Sequence, residues 1–353
     1  MPIFRMGELF CGAGGLALGA INASIDSPNY KIIHQWASDI DTFACRTYAK
    51  NICPTNRRSV ICKDVRELNI NSLTQYGEID CFAFGFPCND FSLVGKQKGT
   101  KGKYGQLYKY GVEVLNLFKP KFFVAENVSG LSSANNGSDF QKILKDFKKC
   151  GYKLFPHLYK FEDYGIPQTR HRIIIVGIRE DLPYSYFPPS PKAYQDIDNT
   201  CRTALEIPLI RANAYNNEIF PQSEIVTKRL SYIKQGENAF TADLPVELKL
   251  NIKGARLSNI YKRLNANKPS CTVTASGGGG TYLYHYDEPR ALTNRERARL
   301  QTFPDDFRFY GSLQSVRKQI GMAVPPKGSQ IIFEAILKTF AREPYDYILC
   351  NIG

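Results

Sequence analysis

A doubly wound, Rossmann-like α/β sheet joined to a smaller, irregular domain is the fold this sequence predicts, on three observations. Up to about residue 180, short apolar runs alternate with helical stretches, the rhythm of βαβ units. A glycine-rich segment follows the first of these runs and opens a helix. Near Asp181-Leu182-Pro183 the rhythm changes, and from there to about residue 285 the chain is irregular and rich in Asn, Tyr and Lys. A length of 353 residues suits about two domains.

The glycine-rich segment runs from Glu8 to Gly19, with Phe10-Cys11-Gly12-Ala13-Gly14-Gly15-Leu16 at its turn. Glycines there let the backbone approach a ligand closely, and an acid ending the next strand can hold ribose hydroxyls. Asp39, closing Ile32-Ile33-His34-Gln35-Trp36-Ala37-Ser38, stands in that position. Asp64, shortly after Val60-Ile61, is a third acid that could receive an adenine amino group. Gly12, Gly14 and Ala17 also fit the dinucleotide fingerprint, so this motif alone does not choose between NAD and S-adenosyl-L-methionine.

The next strand-like run, Ile79 to Phe84, stops at Gly85-Phe86-Pro87 and puts Cys88 on the loop at its carboxyl end. Open α/β sheets place their chemistry there. Pro87 fixes the backbone before Cys88, and polar residues follow it, which separates this thiol from the nine other cysteines, read as small core residues. Gly95 to Lys103 then carries four Lys in nine residues; its position after Cys88 favours phosphate contact over a merely solvated surface.

Leu107 to Phe118 and Asp139 to Cys150 read as helices flanking a buried strand, Phe123-Val124-Ala125-Glu126-Asn127-Val128. A carboxylic acid ending such a strand is a candidate proton donor. Gln168-Thr169-Arg170-His171-Arg172 runs into Ile173 to Val176, so Gln168, Arg170 and Arg172 are expected on one face of a strand, where two guanidiniums call for anions or acceptors between them.

Phe187-Pro188-Pro189-Ser190-Pro191 reads as a hinge. After Pro289 the chain is expected to return to the large domain, since the helix-like Ser329 to Phe340 follows Pro325-Pro326. The predicted division is 1–185 with 315–353 for the large domain and 186–314 for the small one.

Lys and Arg total 46 against 33 Asp and Glu, a formal charge of +13 that suits a polyanionic partner. No run approaches the roughly 18 apolar residues of a membrane span, the amino terminus does not open a signal peptide, and unpaired-looking cysteines fit a reducing cytoplasm. Four His and no Cys-x-x-Cys pair predict no metal.

Taken in order, these segments resemble the DNA cytosine carbon-5 methyltransferases, with bacterial restriction-modification members the nearest pattern. Phe10 to Gly15 resembles their cofactor loop, Pro87-Cys88 their nucleophile, Glu126-Asn127-Val128 their proton-donating motif and Gln168 to Arg172 their paired-arginine segment. Arg290-Ala291-Leu292-Thr293 through Gln301-Thr302-Phe303-Pro304 is similar to the motif framing their recognition region, and Ile320 to Pro326 to their closing motif. The likeness spans residues 9 to about 330.

The resemblance implies an S-adenosyl-L-methionine-dependent methyltransferase domain and a DNA target-recognition domain. It makes Cys88, Glu126, Arg170 and Arg172 catalytic, with Arg170 toward the cytosine carbonyl oxygen. Cofactor contacts fall to Phe10, Gly12, Gly14, Gly15, Leu16, Asp39, Ile40, Asp64, Val65, Pro87, Met322 and Ala323. Substrate contacts fall to Asn89, Ser92, Lys96, Lys98, Gln168, Thr272, Val273, Gly277 and Gly278, with Arg256, Lys262 and Arg263 as candidate base readers. Asn89 stands where Gln is usual, and Met322 where Asn is usual.

The implied partner is double-stranded DNA, with a cognate restriction endonuclease acting separately; the implied state is a cytoplasmic, nucleoid-associated monomer. Two other readings stay open: a tRNA cytosine methyltransferase using the same motifs, and a non-catalytic DNA-binding protein sharing the fold.

Overall fold

The computed structural model describes residues 3–27, 30–87, 106–251, 258–275, 277 and 280–352. The chain divides into two compact units: residues 1–161, 171–193 and 326–353 form unit 1, and residues 162–170 and 194–325 form unit 2. The division differs from the expected one at residues 162–170 and 315–325, which belong to unit 2, and at 186–193, which belong to unit 1.

Among the described residues, unit 1 is built on seven strands: β1 (Ile3–Leu9), β2 (Lys31–Asp39), β3 (Val60–Cys62), β4 (Cys81–Gly85), β5 (Phe122–Val128), β6 (Tyr152–Lys160) and β7 (His171–Arg179). They form one sheet in the order β3-β2-β1-β4-β5-β7-β6. The neighbours from β3 to β5 are parallel, while β7 runs antiparallel to both β5 and β6. The order reverses between β1 and β4, and ligands of such sheets sit at the carboxyl ends of the strands beside that switch point.

The helices of unit 1 are α1 (Gly15–Asn22), α2 (Thr42–Asn51), α3 (Tyr108–Phe118), α4 (Ser138–Lys149) and α9 (Pro326–Ala341). The Asp41 carboxylate caps α2 by accepting from the amides of Phe43 and Ala44. Pro326 begins α9, where its missing N–H costs nothing.

The sheet is gripped by an aromatic core. In β4 every residue from Cys81 to Phe84 is fully buried, as expected for a strand covered on both faces. Phe82 and Phe84 stack at 4.8 Å, and Phe84 meets Phe147 of α4 edge-on at 5.8 Å. This packing fixes β4 and β5, whose carboxyl ends carry Gly85 and Glu126.

Unit 2 contains α5 (Cys201–Glu206), α6 (Glu224–Tyr232), α7 (Asn294–Leu300) and α8 (Leu313–Met322). Its core gathers Leu230, Ile233, Leu244, Leu248, Ile260, Tyr261 and Tyr284. Much of its backbone is irregular, so its carbonyls need partners other than a helix or sheet ladder. Buried arginines supply them. Arg263 donates to the carbonyls of Leu230, Ile233, His285 and Tyr286, and Arg295 of α7 to those of Tyr215, Pro304 and Phe307. Arg263 is therefore a structural strut, not the base reader expected of it.

Candidate active site

In unit 1, the carboxyl ends of β1, β2, β4 and β5 and the start of antiparallel β7 share one edge of the sheet. That edge carries most of the residues that the sequence singles out. After β1 the chain turns through Phe10, Gly12 and Gly14 with φ of 55°, 52° and 94°. At Gly12 and Gly14 that left-handed backbone favours glycine. A Cβ at Gly12 would meet nothing within 4 Å, so the loop faces open space there. Gly15 and Leu16 are buried at the start of α1.

Asp39, at the end of β2, ties this loop down. One carboxylate oxygen accepts from the Gly12 amide at 2.8 Å and the other from the Asp41 amide at 2.9 Å. The next residue, Ile40, is 63% exposed, an uncovered apolar side chain beside the loop's anchor. Val65 is buried, and the Asp64 carboxylate is engaged by the Arg66 guanidinium.

Beneath the loop lies a group that the sequence reading passed over. Glu8 is 1% exposed, and burial pushes its carboxyl up to about 8. The Tyr48 hydroxyl donates to it at 2.9 Å, Tyr48 lies 3.2 Å from His34 Nδ1, and His34 Nε2 lies 2.7 Å from the Ser59 hydroxyl. An acid inside the apolar run of β1 was the available signal.

Glu126 projects from β5 opposite Gly85 of β4, where a Cβ would come within 3.1 Å of its carboxylate. Arg172 Nε lies 2.9 Å from Glu126 Oε1, and Arg172 Nη1 donates to the His171 carbonyl at 2.7 Å. Asn127 is 2% exposed and donates through Nδ2 to the Phe86 carbonyl at 3.0 Å, holding the segment that leads to half-buried Pro87. Its signal was the amide beside Glu126. Cys88, Asn89, Ser92, Lys96, Lys98, Arg256 and Gly278 lie outside the described residues.

Gln168 and Arg170 correct the expected strand face. β7 begins at His171, and both residues precede it, within unit 2. Arg170 is 2% exposed and donates to the carbonyls of Val273, Gly321 and Ala323 at 2.9–3.1 Å. Gln168 is fully buried: its amide nitrogen donates to the Leu300 carbonyl and to Gln301 Oε1, and its oxygen accepts from the Val273 amide at 2.8 Å. Both side chains engage groups of unit 2 and do not share a strand face with Arg172.

Elsewhere in unit 2, the Thr272 hydroxyl donates to the Thr169 carbonyl at 2.7 Å, the Val273 side chain is buried and Gly277 is half-buried. Lys262 lines a cavity of about 570 Å³ together with Thr169, Gln235, Asn265, Lys268 and Thr272. Met322, ending α8, is 62% exposed, whereas Ala323 is buried.

The family model for C-5 cytosine-specific DNA methylase matches residues 4–338, nearly the whole chain. The chain belongs to this family. Among curated relatives, it is 55% identical over 353 residues to the type II methyltransferase M.BbvI of Brevibacillus brevis, covering 98% of this chain and 94% of that one. It is 42% identical over 338 residues to the type II methyltransferase M.NgoFVII of Neisseria gonorrhoeae, covering 95% and 86%. Among solved structures, a prophage-encoded protein of E. coli superposes with a TM-score of 0.72 at 23% identity, covering 96% of this chain and 99% of that one, which shows a shared fold.

This C-5 cytosine-specific DNA methylase is a DNA (cytosine-5-)-methyltransferase with a Rossmann-like catalytic fold. Its reaction is methyl transfer and its substrate is DNA. No helix among the described residues is long and apolar enough to cross a membrane, and no group of three or more His, Cys, Asp or Glu among them could hold a metal ion.

Proposed function

We propose that the chain transfers a methyl group from S-adenosyl-L-methionine to carbon 5 of a cytosine in a specific duplex DNA sequence, as the modifying half of a type II restriction-modification system. The observation that carries this reading is the Glu126–Arg172 pair at the sheet edge where β4 runs out toward Pro87 and Cys88.

The residues fit the donor. The loop at Gly12 is free of side chains and faces open space, Asp39 anchors it beside a place for ribose hydroxyls, and Ile40 offers an apolar face to an adenine ring. When bound, S-adenosyl-L-methionine supplies an electrophilic methyl group on a sulfonium.

Carbon 5 of cytosine is too electron-poor to take that methyl unaided. The Cys88 thiolate adds to carbon 6, forming an S–C bond and sending an electron pair into the ring. Glu126 protonates or hydrogen-bonds ring nitrogen 3 as charge gathers there. Arg172, held beside Glu126, takes the place first expected of Arg170 and meets the cytosine carbonyl oxygen. Carbon 5 would then take the methyl that bound S-adenosyl-L-methionine would supply, with a neutral thioether as leaving group; a base removes the carbon-5 proton, and the S–C bond breaks to free Cys88. Stacked in a duplex, the base must first be flipped out, at a cost of a few kcal/mol.

Unit 2 carries the DNA target-recognition surface, with Thr272 and Gly277 among its substrate contacts. The protein works as a monomer in the bacterial cytoplasm, on nucleoid DNA, and a separate endonuclease cuts the same sequence when it is unmethylated.

The test is transfer of labelled methyl to unmethylated duplex DNA, with Cys88→Ala alongside and bisulfite sequencing of the product. Incorporation at one sequence context, lost in Cys88→Ala, is the expected result. Labelling of tRNA but not duplex DNA would move the activity to RNA, and activity surviving in Cys88→Ala would remove the nucleophile.

A further inference from the structure

Two buried guanidiniums in unit 2 are handled unlike their neighbours. Elsewhere in this unit, Arg299 and half-buried Arg290 pair with the carboxylates of Asp305 and Glu296, Arg263 and Arg295 donate to several main-chain carbonyls, and Arg229 donates through Nε to the Leu248 carbonyl. Arg297 of α7 and Arg317 of α8 follow none of these patterns. Arg297 is 1% exposed and donates through Nη2 to the Thr274 carbonyl at 2.5 Å. Arg317 is 4% exposed, its guanidinium carbon lying 4.5 Å from the Phe220 ring centre and 4.3 Å from that of Tyr282. The Nε of each is buried without a hydrogen-bond partner, and no ion pair among the described residues includes either side chain.

The two cations also act on each other: burial, and then the charge of Arg317, lower the Arg297 guanidinium to about 9. A buried charge is ordinarily paired, because desolvation costs several kcal/mol that a counter-ion offsets. Aromatic faces on two sides supply part of that attraction to Arg317, but no acceptor. Gly277 packs against this side chain: a Cβ there would come within 2.5 Å of Arg317 Nη1 and 2.9 Å of the Tyr282 ring.

We propose that Arg297 and Arg317 form an anion subsite that takes a phosphate of the DNA backbone. The inference rests on the reading of duplex DNA as substrate. A phosphate suits the pair better than a base does. Neither cation has a counter-ion among the described residues, and a phosphate oxygen brings the full negative charge that a base edge does not.

Arg317→Met is the informative variant, since a methionine keeps apolar volume between Phe220 and Tyr282 while removing the charge. Three measurements are made on the full chain: thermal unfolding with and without inorganic phosphate at constant ionic strength, duplex binding as a function of salt, and methyl transfer by the wild type. The subsite predicts that phosphate raises the wild-type Tm but not that of Arg317→Met, whose free protein is as stable as wild type or more so because the repulsion is gone. It also predicts that binding weakens by the same factor on target and unrelated duplexes, with the log–log salt slope shallower by about 1.

Arg317→Lys, which keeps the charge, recovers the slope. An unchanged slope together with a loss of Tm in Arg317→Met, or the absence of any phosphate effect on wild type, would make Arg317 a packing residue and overturn the subsite. Failure of the substrate reading looks different: wild-type protein would neither bind nor methylate duplex DNA, while its phosphate-dependent Tm shift persisted.

Discussion

Arg172 Nε stands 2.9 Å from Glu126 Oε1, with both side chains less than 15% exposed, so the carboxyl proposed as proton donor and the cation beside it leave adjacent strands as one unit. The register pairs Val128 with Arg172 and Glu126 with Ile174, so the guanidinium reaches back two residues along β5 to meet the carboxylate. Glu126→Gln keeps the shape and loses the transferable proton. Methyl transfer is expected to fall by about 10²- to 10⁴-fold with DNA affinity within a few fold of wild type, measured by label incorporation and gel shift. Unchanged turnover would remove Glu126 from the chemistry.

Arg170 is expected to behave differently from Arg172. Its guanidinium serves the carbonyls of Val273, Gly321 and Ala323 within unit 2, and a lysine cannot serve three such acceptors from one point charge. Arg170→Lys should cost about 2–4 kcal/mol, because buried carbonyls lose their donors. Arg172→Lys should lower turnover with little change in Tm. Urea unfolding of both variants separates the two roles; equal loss of stability would refute the distinction.

That pair also marks where the sequence stopped being legible. The glycine turn, β4 with its terminal Gly85 and β5 with Glu126 could be read from sequence because each is an apolar run ended by a turn residue or by polar chemistry. Gln168-Thr169-Arg170 carries the same alternation, but Pro167 precedes it and the Ser270 carbonyl accepts from Thr169, so tertiary hydrogen bonds hold those residues in unit 2 before the strand starts at His171. No periodicity announces a unit whose irregular backbone is satisfied by Arg263 and Arg295, and the segment 162–170 was assigned to the large domain for that reason. Glu8 was hidden by its short apolar strand, whose pattern fits the fold equally well with an apolar residue there.

Glu8 carries a pH prediction. Its folded-state carboxyl is raised to about 8 from a reference value of 4.5, so the folded protein keeps a proton that the unfolded chain has released. The stability this gives is complete below about 4.5 and is lost as pH rises toward 8. Burial lowers His34 and His157 to about 4, which costs stability only as pH falls below their reference of 6.5. Between 6.5 and 8 the decline due to Glu8 is therefore clear of both histidines. Glu8→Gln, which can still accept from Tyr48, should flatten it, as read from urea midpoints across that window. An equal decline in the variant would place its source elsewhere.

Asp39 offers the most direct check on the donor site, because its two carboxylate oxygens already hold the amides of Gly12 and Asp41 and thereby set the shape of the loop. Asp39→Ala removes both anchors and the proposed ribose contact, so S-adenosyl-L-methionine binding should weaken at least tenfold, the equivalent of about 1.4 kcal/mol. Asp39→Asn retains one acceptor and turns the other into a donor facing an amide hydrogen, so it should bind the donor little better than Asp39→Ala. Calorimetric titration with S-adenosyl-L-methionine, without DNA present, reads this independently of catalysis. If both variants bound the donor as wild type does, the glycine loop would be holding its shape without Asp39, and the donor would have to be placed away from the ends of β1 and β2.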